Sequence, residues 1–356
     1  MSFIKKPSLP VRKSSVPVER PFSVERSLKR LLSLPVMVQR TQPWYDAREK
    51  VITASEYASC FKLTASVIRP YVEYFGYADF PARPKKTAAK ESAQKLILKK
   101  TGQAAPFTGN RFTEFGTLYE PVASTVYQQM TGTKLHEFGL ILHPTVHFLG
   151  ASPDGCTEHG VLVEIKCPSS RVPDGTVPFE YWCQMQLQLE CCDLEVCDFL
   201  DARFVEYLDE EAWREGALKH EASGARHHAY GFILMSETGL PKHAGPTVRT
   251  LADFENWERQ VVGETGEPHT RVLYSLWAHH LVRVRRERRW MSERIPEIER
   301  VWNEIVKVRR AKDEAKAATD VTGPAATLEV NEEPAEVDWK EKKRNKSDLR
   351  CDHCLV

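Results

Sequence analysis

The sequence has no apolar run approaching the roughly 18 residues that a membrane-spanning helix requires. Its first residues, Met1 to Val11, carry lysines with no apolar stretch behind them, so nothing in them reads as a secretory signal. No internal repeat is visible, which argues against a stacked-repeat architecture. The nine cysteines lack the even, spaced arrangement of a disulfide framework, and Cys183, Cys191, Cys192 and Cys197 crowd into one short stretch. The expectation is a reduced intracellular protein, in host nucleus or cytoplasm were the chain viral.

Net charge is also nearly absent, at +1 from 50 Lys and Arg against 49 Asp and Glu. The balance averages unlike segments. Residues 1–40 set nine Lys and Arg against Glu19 and Glu25, and residues 281–312 set eleven against five Glu. The chain from 313 onward is net acidic. Basic ends around a neutral middle suggest local contact with a polyanion, or else solvated helix faces and a disordered arm.

What is present is a core. Of 356 residues, 42% are hydrophobic and 10% aromatic, enough for one large domain or two ordinary ones. Residues 1–40, with five prolines among scattered Lys and Arg, read as a mostly unfolded arm, so order is expected from about Trp44. Residues 81–110 read as an insertion or mobile connection. Leu118, Val122, Val126 and Met130 predict a helix from Arg111 to Met130, closed by Gly132. Three apolar runs follow, Gly139–His143, Val146–Ala151 and Val161–Cys167, and predict a strand meander broken by the Pro153–Gly160 turn region. A helix over Phe179–Cys191 and a strand over Glu195–Phe204 complete a mixed α/β pattern. Residues 251–312 read as helical, and 313–356 as a charged, disordered tail.

The chemistry gathers on Val161 to Cys167. Strand alternation puts Val161, Val163, Ile165 and Cys167 on one face and Leu162, Glu164 and Lys166 on the other. A carboxylate and an ammonium on an otherwise apolar strand need each other, a metal or solvent. Asp154, in Ser152-Pro153-Asp154-Gly155, ends the preceding run, and a short turn would fold it back beside Glu164. Hard Mg²⁺ takes such oxygen ligands, one or two carboxylates plus substrate phosphates. A metal held by Asp154 and Glu164 would activate water and neutralise the charge of phosphodiester hydrolysis, with Lys166 orienting that water or stabilising the developing charge. Glu120, beside Pro121 on the Arg111–Met130 helix, becomes a further ligand if that helix crosses the site, with Gly116 allowing close approach. Gln184 and Gln188 share a face of the next helix, turned to this site or to water. Thr53-Ala54-Ser55-Glu56 has capping-box spacing, so a helix start there, with Ser55 and Arg48, would hold a terminal phosphate or simply cap the helix. The run from Arg283 to Trp290 reads as a DNA-facing helix or a solvated charged face, with Trp290 a packing residue. Arg111 either touches DNA or pairs with Glu114. Cys351 and Cys354 form half a zinc site without a partner pair, and residues 340–346 an unspecific nuclear-targeting patch.

Together these blocks resemble the lambda-exonuclease/YqaJ-like viral recombinase group of the PD-(D/E)XK nuclease superfamily. The resemblance spans residues 44–204. Trp44, Arg48 and Thr53-Ala54-Ser55 carry it, then Gly116 and Glu120-Pro121, then Ser152 to Gly155 with Glu164 to Pro168, then Gln184-Met185-Gln186. It implies a restriction-endonuclease-like PD-(D/E)XK core, a mixed central β-sheet flanked by helices, within a nuclease domain over 41–312 with additional C-terminal helices. It further implies a 5′-to-3′ exonuclease on linear duplex DNA ends, a homotrimeric ring or a monomer, working in recombination, repair or viral genome processing beside a single-strand-annealing protein. Asp154, Glu164 and the peptide carbonyl of Ile165 would hold Mg²⁺, with Mn²⁺ as a substitute. Lys166 would assist the water, Glu120 and Gln184 complete the site, and Arg48 and Ser55 grip the 5′-phosphate. Within enzymes the alternative is a structure-specific endonuclease; outside them it is a non-catalytic DNA-binding or annealing partner.

Overall fold

The structure is a computed structural model that describes residues 23–35, 37–77, 88–105, 109–224, 227 and 229–321. In chain order the elements are α1 (Val24–Leu32), α2 (Gln42–Glu49), β1 (Ile52–Thr53), α3 (Ala65–Phe75), α4 (Ala88–Lys100), α5 (Arg111–Thr131), β2 (Leu135–His136), β3 (Ile141–Leu142), β4 (Leu149–Ala151), β5 (Gly155–Thr157) and β6 (Val161–Lys166). Then come α6 (Phe179–Cys192), β7 (Val196–Tyr207), α7 (Glu210–Ala222), β8 (Tyr230–Ser236), β9 (Pro241–Lys242), α8 (Leu251–Thr265), β10 (His269–Arg285) and α9 (Arg288–Val321). Two units divide the chain, residues 1–309, which hold all the strands among the described residues, and residues 310–356, described as helix to Val321.

Seven strands form the main sheet in the order β2-β5-β6-β7-β10-β8-β9. The β6–β7 pair is parallel and its neighbours are antiparallel, so the sheet is mixed, as expected. A small second sheet joins β1, β4 and β3. The expected meander is therefore split: β4 leaves for the small sheet, and the presumed turn region contributes β5 to the main one. That exchange places Asp154 at the crossing point between the two sheets.

Alternation on β6 assigns the helices their faces. Val163, Ile165 and Cys167 pack with Tyr119, Val122 and Val126 of α5, while Leu162 joins Trp182, Cys183 and Met185 of α6 on the opposite face. α5 starts at an Asn110–Thr113 capping box, which satisfies amides the helix itself leaves free. It ends where Gly132 takes φ 71°, a conformation that side chains disfavour. α7 and α8 cover the far end of the sheet through Trp213, Phe232, Phe254 and Leu273.

Several expectations are corrected. The arm is not wholly unfolded: α1 buries Leu31, and Arg30 donates to the Cys191 carbonyl at 2.8 Å. The short helical pattern within 81–110 is α4, and it is no loose connection there, since Leu96 lies in the core. Residues 269–285 are strand, not helix; β10 pairs with β7 along nearly its whole length, which a short aromatic-rich window could not reveal. Thr53 ends a strand and starts no α-helix. Glu56 does accept from the Thr53 N–H at 3.0 Å, but only a 3-10 turn over Tyr57–Cys60 follows. Cys351, Cys354 and the basic patch at 340–346 lie outside the described residues. The seven described cysteines are buried and free.

Candidate active site

Glu164 is wholly buried beneath α6. Gln184 donates to its Oε1 at 2.7 Å and Gln188 to its Oε2 at 2.6 Å, one helical turn apart, and the Lys166 ammonium pairs with Oε1. A buried carboxylate this fully hydrogen-bonded keeps its position. Gln186, on the opposite side of α6, instead ties the Arg285 carbonyl and the Glu287 N–H, a structural role.

Asp154 is fixed to the same strand, its Oδ2 accepting from the Ile165 N–H at 2.7 Å. Burial pushes the Asp154 carboxyl well above the usual carboxylate range, and the nearby charges of Glu164 and Glu120 push it further, against Lys166. Glu120 is raised as well, by burial first, with Arg40 and Lys166 opposing the rise and Glu164 adding to it. Burial disfavours the Lys166 charge, but the Glu164 and Asp154 carboxylates outweigh it and hold the amine above its ordinary value. Its ammonium lies 5.0 Å from the centre of the Tyr181 ring.

Sequence reasoning missed Arg40. Its guanidinium reaches Glu120 Oε2 at 2.7 Å, from a backbone held at φ 64° without a glycine. Beside it, Gln39 donates to the Phe138 carbonyl at 2.7 Å and the Pro153 carbonyl at 3.1 Å. Gly139 leaves no space for a side chain beneath the Met37 backbone. This strap crosses the site edge, and its proline-rich approach disguised it as arm. The Gly116 expectation needs correcting too: a methyl there would sit 3.9 Å from the Cys167 carbonyl oxygen, an ordinary contact, so close approach does not demand glycine.

Arg48 and Ser55 do meet, at 3.2 Å, and the Arg48 guanidinium lies 4.2 Å from the centre of the Trp44 ring. The Trp44 indole N–H donates to Ser152 Oγ at 3.1 Å, two residues before Asp154, which links this pocket to the carboxylates. Arg111 lies over Phe112, 5.0 Å from the ring centre. The basic run after Arg283 is no DNA-facing helix. Arg283 is on β10 and forks onto Asp198, and Arg286 is buried among Glu190, Asp193 and Glu195. Trp290 packs in the core and donates to the Val67 carbonyl.

Among the described residues no set of three His, Cys, Asp or Glu side chains stands close enough to hold a metal ion alone. Two carboxylates on one strand edge, with a third engaged by Arg40, still fit a hard cation whose remaining ligands are backbone, water or substrate oxygens. Burial raises Asp154 and Glu120 first, and a cation would relieve the carboxylate repulsion that adds to it.

A carboxylate-and-lysine edge on a mixed sheet between two helices resembles the PD-(D/E)XK class of site. More closely, residues 43–195 match the YqaJ-like viral recombinase domain. An uncharacterised protein of Acanthamoeba polyphaga mimivirus is 33% identical over 138 residues, covering 34% of this chain, which spans about a quarter (25%) of that relative's length. An alkaline exonuclease from Laribacter hongkongensis is similar over 78% of this chain and 100% of its own, at 21% identity and a TM-score of 0.45. A phage-related exonuclease from Haemophilus somnus is similar over 76% of this chain and 96% of its own, at 11% identity and a TM-score of 0.38. No helix among the described residues is long and apolar enough to cross a membrane.

Proposed function

We propose that the protein is a divalent-metal-dependent DNA exonuclease that hydrolyses phosphodiester bonds from the ends of linear duplex DNA, 5′ to 3′, leaving single strands for recombination, repair or viral genome processing. The observation that carries this reading is the convergence of Asp154, Glu164 and Lys166 on one strand edge, with Glu120 electrostatically coupled to them. Asp154, Glu164 and the Ile165 backbone oxygen are the ligands we assign to Mg²⁺, with Mn²⁺ as a substitute. When bound, such an ion lowers the pKa of water and neutralises charge on the reacting phosphate.

The chain's own residues supply the rest. Gln184 and Gln188 hold Glu164 in one rotamer, so a ligand is positioned before substrate arrives. Lys166, kept cationic by two carboxylates, donates to the attacking water or to a phosphate oxygen. Glu120, paired with Arg40, stands beside them as a further ligand or the anchor of a metal-bound water. Arg48 and Ser55, backed by Trp44, bind the terminal 5′-phosphate as a charge-assisted fork. Partners on this reading are duplex ends and a single-strand-annealing protein.

The test is digestion of linear duplex labelled at either the 5′ or the 3′ end, in Mg²⁺, beside covalently closed circular DNA. Progressive release of 5′ label from the linear form alone is the expected result. Cutting of the closed circle would favour an endonuclease, and no cutting of any substrate would leave a DNA-binding partner.

A further inference from the structure

The sheet face that carries Glu164 and Lys166 is covered at one end by α6 and at the other by α7 and α8. Between them runs a strip that no helix covers. β6 stops at Lys166, which aligns with Asp201 of β7, and β7 continues past it to Arg203 and Val205. On the next strand Ala278 aligns with Arg203 and His280 with Asp201, and a bulge between Leu276 and Ala278 sets Trp277 apart. Bulges re-aim side chains, and here the indole is 54% exposed.

Trp277 has an unusual neighbour. The Arg203 guanidinium lies 4.5 Å from the centre of its ring. Arg171, Arg271, Arg283 and Arg286 each engage a carboxylate, whereas Arg203 has none among the described residues, and its buried Nε has no hydrogen-bond partner. An exposed indole braced by an uncommitted guanidinium combines a ring for a base to stack on with a charge for the phosphate beside it. Strand spacing puts this pair about 10–15 Å from Lys166, a few nucleotides away.

We infer that this strip binds single-stranded DNA, with a base stacked on Trp277 and the adjoining phosphate on Arg203. The inference deepens the proposed function, since the occupant is the strand that digestion exposes. The loop carrying Arg171 and Gly175 crosses the strip at Asp201 and His280, and beyond it the positive charge of Arg203 beside an exposed indole favours a nucleic acid over an apolar partner.

The test measures binding of a short fluorescein-labelled oligothymidylate by anisotropy, in Ca²⁺, using the full chain. Trp277→Ala should weaken binding about tenfold or more, the usual effect of losing one base–aromatic stack. Trp277→Phe should restore most of it, and Arg203→Gln should weaken binding and flatten its salt dependence. Parental affinity in Trp277→Ala overturns the inference, as does altered subunit assembly with unchanged oligothymidylate affinity, which would make the strip a contact with a second copy. Should the alanine variant fold poorly, photocrosslinking of bromouracil-substituted single strand to the parent protein decides: crosslinks must map to the β10 peptide containing Trp277, and crosslinks confined elsewhere overturn the inference. Failure of the nuclease reading looks different, a parent that binds oligothymidylate yet cuts no duplex in Mg²⁺.

Discussion

Glu164 and Arg286 are both buried charges that touch the helix α6, yet the molecule treats them in opposite ways. Glu164 is held by two neutral amides and one lysine, with two further carboxylates repelling it across the strand edge. Arg286 is surrounded by opposite charge, from Glu190, Asp193 and Glu195, and burial is outweighed so that its pKa rises. A buried charge with surplus opposite partners is scaffolding. One held by amides and a single lysine beside two more carboxylates is, on the proposed reading, the place for a cation.

The sharpest way to break this comparison is to alter the lysine. Lys166→Ala should lower the cleavage rate by about a thousandfold, in the range of losing a preorganised charge at a transition state, while DNA binding in Ca²⁺ survives. Equal turnover of variant and parent in Mg²⁺ would sink the contrast. Arg286→Met should do the reverse, removing about 2–3 kcal/mol of stability as three partly exposed carboxylates lose a shared partner, with the folded fraction still cutting. Urea unfolding and specific activity together check it.

A third buried charge sits between these extremes. Burial opposes ionisation of Glu56, but Lys100 and Lys99 hold its carboxyl down to about 2 from an ordinary 4.5. A depressed acid stabilises the fold above its unfolded pKa, and that contribution is lost as pH falls through about 2. Glu56→Gln should therefore cost on the order of 2–3 kcal/mol at neutral pH, with the gap closing between pH 4.5 and 2 in acid-unfolding curves. The smallest effect is expected at the phosphate pocket. Arg48→Ala should reduce the preference for 5′-phosphorylated over 5′-hydroxyl ends by about tenfold, the scale of one charge-assisted hydrogen bond, measured as a ratio of digestion rates.

Local pattern made much of this legible. Glu164 and Lys166 on one face of β6, and Gln184 and Gln188 on one face of α6, follow from strand and helix periodicity alone. Asp154 needed only a short turn. What escaped depended on distant partners. β10 is strand because β7 offers it an edge over most of its length, and its His-His and Arg-rich windows carry no clear alternation. Arg283 and Arg286 looked like a DNA-facing row until Asp198 and Glu190 arrived from other elements. Arg40 escaped because a strap secured by hydrogen bonds to carbonyls leaves no apolar signature.

That strap bears on how the protein is handled. Composition invites trimming the chain to begin at Trp44, since the residues before it look like solvated lead-in. Such a version would lose Leu31 from the core, the Arg30 bond to Cys191, the Gln39 fork over Pro153 and the guanidinium on Glu120. A shortened enzyme that folds yet works feebly would be the signature of a missing front wall, and restoring residues 23–43 should bring it back.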